Sequence, residues 1–148
     1  MQTFMPYGTQ FKRNARCLDY RRLGKQRVEC LQIINCLEGR RQSWQNHPAV
    51  LMWTGHIDAL KAYGNEMIKE WIRRGYNNTM RLWEHEEIVN PPWASLPSFC
   101  SSHKSNLLRK DPAYYSKFNW SVSSEIPYFW PTVDWNTKKG KEWNARFQ

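Results

Sequence analysis

Arg13 to Gly39 reads RNARCLDYRRLGKQRVECLQIINCLEG. Apolar residues recur at Leu18, Leu23, Leu31, Ile34 and Leu37 with mostly polar residues between them, the period of a helix with one buried face, and Gly39 supplies a C-terminal stop. The spacing predicts one helix over residues 13–38. Gly24, inside it, costs about 1 kcal/mol of helix propensity relative to Ala, which predicts a kink or a close approach of another element there. The same stretch carries the densest charge in the chain: Arg21, Arg22, Lys25 and Arg27 surround a single carboxylate, Glu29. Arg22, Gln26 and Glu29 lie three or four residues apart and share a face, with Lys25 paired i,i+4 to Glu29 on its edge. Such a face can hold phosphates and present an acid. The plainer alternative is a solvated helix face with an ordinary surface salt bridge worth about 0–1 kcal/mol.

On the N-terminal side, residues 1–10 contain Pro6 and Gly8 and no helical period, so they read as an extended arm ending in a turn. On the C-terminal side a long helix opens at Asn46-His47-Pro48, where a first-turn proline leaves no unpaired donor, and ends at Arg73-Arg74-Gly75. Its broad apolar face, including Val50, Trp53, Leu60 and Met67, marks it as the central helix. Residues 76–98 read as loop, with Arg81 to Ile88 able to form a short helix. A third helix is expected over Phe99–Arg109, and Asp111-Pro112 reads as cap plus first residue of a short helix to about Phe118. Residues 120–148, which mix Trp130, Trp135 and Trp143 with Lys138, Lys139 and Lys141, are expected to form an irregular Trp-rich C-terminal coat. The expected fold is therefore all-α: a single compact domain over residues 1–148, with three main helices plus short ones.

Twenty-two Lys and Arg against 13 Asp and Glu give 148 residues a formal charge of +9, a balance that favours a polyanionic partner. Nine Trp, seven Tyr and six Phe exceed what a core of this size requires, leaving rings for base stacking. Tyr114-Tyr115 with Lys117, following Arg109-Lys110, alternates rings and cations in the manner of a stacking and phosphate-gripping unit; closing a small core is the competing use of those tyrosines. Cys17, Cys30, Cys36 and Cys100 form no CxxC pair and have no His at metal-ligand spacing, and no signal peptide is evident, so reduced cysteines in a cytoplasmic protein are expected. His47, His56, His85 and His103 are scattered, and neither a metal site nor a cofactor is expected. No Ser or Cys sits in a recognisable nucleophile context, and no apolar run approaches the roughly 20 residues of a membrane span.

The order and spacing of these pieces resemble the pyrimidine-dimer DNA glycosylase/AP lyase family, the phage endonuclease V-like proteins and their bacterial relatives. The resemblance covers residues 1 to about 120. It is carried by the arm, the Arg- and Glu-bearing first helix, His47-Pro48 through Gly55-His56-Ile57, Trp71-Ile72-Arg73-Arg74-Gly75-Tyr76, and the unit Asp111 to Phe118. It implies a protein that acts on double-stranded DNA, in which an N-terminal α-amine attacks the sugar C1′ and a helix-borne glutamate supports imine formation and elimination; a monomer is expected. Carried over, Glu29 is the glutamate, Met1 supplies the amine, and Arg22, Lys25 and Arg27 hold phosphate. Arg21, Gln26, His47, Arg109, Lys110, Tyr114, Tyr115 and Lys117 complete the expected DNA contacts.

An α-amine titrates near ~8, against ~10.4 for lysine, so part of it is neutral and nucleophilic at pH 7. The phage enzyme exposes a small second residue by losing its initiator methionine; Gln2 departs from that pattern, so the resemblance implies that Met1 is retained, with Lys25 as the fallback amine. Two other classes stay open: a non-catalytic nucleic-acid-binding module on the same fold, and a small-molecule enzyme acting on a nucleotide or free base.

Overall fold

The computed structural model describes residues 1–132; the expectations for Trp135, Trp143 and the lysines beside them lie outside the described residues. Among the described residues all regular structure is helical: α1 (Phe11–Cys17), α2 (Tyr20–Leu37), α3 (Pro48–Trp53), α4 (Ile57–Arg73), α5 (Pro97–Lys110) and α6 (Pro112–Tyr115). Two 3₁₀ turns, Pro92–Ser95 and Ser116–Phe118, flank α5 and α6.

The expected first helix is divided. Leu18 and Asp19 are extended, and α2 restarts at Tyr20. The backbone at the break finds partners far away in sequence: the Asp19 N–H donates to the Tyr115 hydroxyl at 3.1 Å and the Tyr114 hydroxyl donates to the Leu18 carbonyl at 3.4 Å. These bonds replace the two intrahelical ones that continuity would have provided.

The expected second helix is also divided, at Thr54-Gly55-His56, where Gly55 adopts φ +82°, open to glycine and strained for other residues. Its outer ends fall where the chemistry of the termini predicts. His47 accepts a hydrogen bond from the Ala49 N–H at 3.0 Å ahead of Pro48, and Gly75 follows the last turn of α4 with φ +89°. The stretch from Arg81 to Ile88 is irregular rather than helical. Asn65 explains part of this, bonding both the N–H and the carbonyl of Trp83 and so taking the backbone groups a helix would have used.

α4 is the hub, with α1 and α2 both packed on it. Leu23, Cys30 and Ile33 of α2 meet Leu60, Tyr63 and Met67 of α4, and Trp53, Trp93 and Phe99 extend the core towards α5. Gly24 is a point of close approach rather than a kink: a Cβ there would lie 2.8 Å from the Trp71 ring. The arm is not peripheral, because Phe4 and Met5 are buried in the core, and the Met5 N–H donates to His103 Nδ1 at 2.8 Å. Most aromatic rings are consumed in this way, and among the described residues Tyr20, Trp44 and Tyr76 are the exposed ones.

Candidate active site

A cleft of about 580 Å³ opens where the arm, the first half of α2 and the α5–α6 junction meet. The arm contributes Gln2 and Phe4, the first turn of α2 contributes Asp19, Tyr20, Arg21 and Arg22, and the next two turns contribute Lys25, Gln26 and Glu29. Lys110, Asp111 and Tyr114 close the opposite wall.

Glu29, with 7% of its surface exposed, is one of the two buried acids that line this cleft, Asp19 being the other. Its Oε2 accepts from Gln26 Nε2 at 2.8 Å and from the Gln2 N–H at 3.4 Å, while Oε1 lies 3.8 Å from Lys25 Nζ. Burial holds the carboxyl above the usual carboxylate range, because desolvation penalises its charge. The Met1 ammonium, the Gln2 N–H, Lys25 and Gln26 oppose that shift without cancelling it. With its side chain 74% exposed, Lys25 is screened by solvent and contributes little of this. Met1 is partly buried against the core, and its ammonium also helps to hold His47 below the ordinary imidazole range, after burial.

Among the cations on the walls, Arg22 is fixed by its partners. Arg22 Nη1 donates to both carboxylate oxygens of Asp19 at 3.2 Å, and Asp19, itself buried, receives the Tyr115 hydroxyl proton. Arg22 is thereby held on the cleft with donors to spare for an anion. Across from it, partial burial followed by the Arg22, Lys25 and Arg109 charges keeps Lys110 below the ordinary lysine range. A cleft that carries Arg21, Arg22, Lys25 and Lys110 can bind a phosphodiester, and of its two buried carboxylates Asp19 is committed to Arg22 and Tyr115, which leaves Glu29 as the acid or base for a reacting centre.

The structure gathers Arg21, Arg22, Lys25, Gln26, Glu29, Lys110 and Tyr114 into this cleft; Met1 is outside the lining itself but precedes Gln2, which is part of it, and Arg27, His47, Arg109, Tyr115 and Lys117 are engaged elsewhere. Arg27 lies 4.3 Å over the Trp71 ring and donates to Asn78 Oδ1 at 2.7 Å, apart from the cleft lining. Arg109 fastens the carbonyls of Ser124 and Ile126, at 2.7 and 3.0 Å. Lys117 sits 3.8 Å over the Tyr114 ring, and His47 caps α3 with its ring nearly perpendicular to that of Trp130. Tyr115 is a correction. It has no exposed surface, and its hydroxyl serves Asp19, so it closes the core and cannot stack on a base.

Sequence reasoning missed Asp19, Tyr20 and Gln2. Asp19 had a signal in its i,i+3 spacing from Arg22, and Tyr20 in being a ring beside two arginines. Gln2 had none, because its partners are 24 and 27 residues away. Among the described residues no group of three or more His, Cys, Asp or Glu side chains is placed to hold a metal ion, and no helix is long and apolar enough to cross a membrane.

A sequence model of the pyrimidine dimer DNA glycosylase family matches residues 1–84, more than half of the 148. The chain belongs to that family. Membership brings DNA glycosylase function in general, with DNA as the substrate class. No curated protein and no solved structure matches the chain. The matched part of this glycosylase-family chain contains the arm, Gln26, Glu29 and the arginines of α2, whereas Lys110, Asp111 and Tyr114 lie beyond it.

Proposed function

We propose that this chain is a DNA glycosylase with AP-lyase activity, acting on a damaged or modified base in double-stranded DNA through the Met1 α-amine and Glu29. The observation that carries the reading is the buried Glu29 carboxylate, bonded to the backbone of the N-terminal arm and close enough to the Met1 ammonium to feel its charge, in a cleft walled by cations.

The neutral amine attacks C1′ of the target nucleotide, forming an N–C1′ bond as the bond from C1′ to the base breaks and the base departs with its electron pair. The nitrogen gives up a proton and its lone pair then forms the C1′=N bond of an imine as the C1′–O4′ bond breaks, O4′ taking a proton and staying on C4′ as a hydroxyl. Removal of a C2′ proton then expels the 3′ phosphate by elimination. Glu29 acts next to the amine, stabilising the cationic sugar while ionised and moving protons at Oε1, the oxygen that faces Lys25 and takes no bond from Gln26 or Gln2. Its raised pKa suits both roles, since the carboxyl exchanges a proton nearer to neutrality than an exposed glutamate does. Arg22, Lys25 and Lys110 would hold phosphates on either side of the extruded nucleotide, offsetting the few kcal/mol that unstacking costs.

Borohydride trapping tests this on protein with an authentic N-terminus and duplexes carrying an abasic site, a cyclobutane dimer or a modified pyrimidine. The expected result is a covalent adduct mapping to Met1 that falls by roughly 10²-fold or more in Glu29→Gln. An adduct at Lys25 or Lys110 would move the nucleophile. Tight, salt-dependent binding with no adduct and no base release in any duplex would make the chain a binding module.

A further inference from the structure

Gln26 shares a face of α2 with Arg22 and Glu29, yet it is 1% exposed, and every hydrogen-bonding position of its amide is taken inside the protein. The partners settle which way the amide points. The Phe4 N–H can only donate, and it lies 3.1 Å from Oε1; the Gln2 carbonyl can only accept, and it lies 2.9 Å from Nε2. The second Nε2 hydrogen goes to Glu29 Oε2 at 2.8 Å. On the far side, the single proton of the Tyr63 hydroxyl is shared between Oε1 and the Phe4 carbonyl, each 2.7 Å away.

Gln2 is therefore held at both ends, its N–H on Glu29 Oε2 and its carbonyl on the Gln26 amide that bonds the same oxygen. The arrangement closes a ring through the arm and two side chains one helical turn apart, backed by a fully buried tyrosine of α4. Glu29 Oε1, bonded to neither Gln26 nor Gln2, is left towards Lys25.

We propose that Gln26 is a positioning residue: it clamps residues 2–4 of the arm onto Glu29 and sets the separation of the terminal amine from the carboxylate, making no contact with DNA itself. This rests on the amine and Glu29 reading above. An amide suits the task because it supplies a donor to the carboxylate and to Gln2, and an acceptor to Phe4, without a charge of its own that would change with pH. A glutamate in its place would set a second carboxylate against Glu29 Oε2 and the Gln2 carbonyl, and a leucine would leave the Phe4 N–H and the Gln2 carbonyl unpaired and take from Glu29 Oε2 the shorter of its two hydrogen bonds.

The test compares wild type, Gln26→Leu, Tyr63→Phe and Glu29→Gln as full-length protein with an authentic N-terminus. Three quantities are read: the Glu29 carboxyl titration by carbon-13 NMR, the Kd for a duplex carrying an abasic site, and the single-turnover rate of borohydride-trapped adduct. Gln26→Leu is expected to move the Glu29 midpoint upward and to slow adduct formation by about 10²-fold, the scale of an ångström of misplacement, with Kd changed less than about 3-fold. Tyr63→Phe, which removes only the backing donor, shifts the same two readouts in the same direction by less. It decides the matter should Gln26→Leu not fold, and an unmoved midpoint there counts against the clamp.

An unchanged midpoint in Gln26→Leu overturns the proposal. So does a loss of adduct matched by an equal loss of duplex affinity, which would make Gln26 a DNA contact. If Glu29→Gln abolishes the adduct while Gln26→Leu leaves its rate unchanged, the clamp fails alone. If Glu29→Gln forms adduct at the wild-type rate, the amine and Glu29 reading fails, and the carboxyl titration still decides whether Gln26 sets the environment of Glu29.

Discussion

Asp19 and Tyr115 are 96 residues apart and exchange two hydrogen bonds, the tyrosine hydroxyl accepting from the Asp19 N–H and donating to its carboxylate. The same carboxylate anchors Arg22. A ring that the sequence offers as a DNA contact is therefore the support of one. Tyr115→Phe keeps the ring packing but strands a buried N–H and removes a donor from a buried carboxylate, which should cost about 1–3 kcal/mol. Urea unfolding should show a lower midpoint with an unchanged slope. Duplex binding should weaken in the same variant, because Asp19, the anchor of Arg22, loses the hydroxyl that holds it; an unaltered Kd would mean that Asp19 holds Arg22 without that support.

Between elements, the contacts with the clearest consequences lie where α2 and α1 meet α4. Ala has higher helix propensity than Gly by about 1 kcal/mol, so Gly24→Ala on an isolated helix would stabilise. In the folded chain its Cβ would lie 2.8 Å from the Trp71 ring, and pushing α2 off α4 should outweigh the gain. A net fall in Tm of a few degrees is expected for about 1 kcal/mol lost, and the sign should reverse when Trp71 is first replaced by Ala.

At the same C-terminal end of α4, the buried Glu70 receives Arg73 and Arg74, and Arg74 also caps the last carbonyls of α1 at Ala15 and Arg16. Burial alone would raise the Glu70 pKa, but the hydrogen bonds and charges of Arg73 and Arg74 outweigh it and hold the carboxyl below its ordinary value. A depressed folded pKa gives stability that is present above the unfolded value and lost as pH falls through the folded one. Glu70→Gln should therefore destabilise at pH 7 and flatten the decline in unfolding free energy below about pH 5, read from urea midpoints across pH.

For the molecule as a whole, the +9 charge is distributed between jobs, and binding should report the division. Arg22 and Lys110 face the cleft, so replacing either with Ala should weaken duplex binding and lower the slope of log K against log salt by about one. Arg27 is occupied by Trp71 and Asn78, so Arg27→Ala should leave the salt slope unchanged and instead reduce thermal stability. Anisotropy titrations of a labelled duplex between about 50 and 200 mM salt separate the two behaviours. A lowered slope for Arg27→Ala would extend the DNA footprint around α2 to the Trp71 side.

Local chemistry made the helical class legible in the sequence. The apolar period of α2 and α4, the His47-Pro48 and Asp111-Pro112 starts and the Gly75 stop are decided within a few residues, and they fall in the structure where those residues require. The face bearing Arg22, Gln26 and Glu29 was legible for the same reason, since one helical turn brings them together whatever else folds around them. The break at Leu18–Asp19, the burial of Tyr115, the withdrawal of Arg27 and the seating of the arm on Glu29 were not. Each is settled by a partner between 22 and 98 residues away, whose hydrogen bond or ring competes with the local preference and wins because leaving a buried polar group unpaired costs more than the local preference gains. The sequence alone thus determined that a helix would carry an acid among cations. Tertiary packing decided which of those groups face the cleft and which hold it in shape.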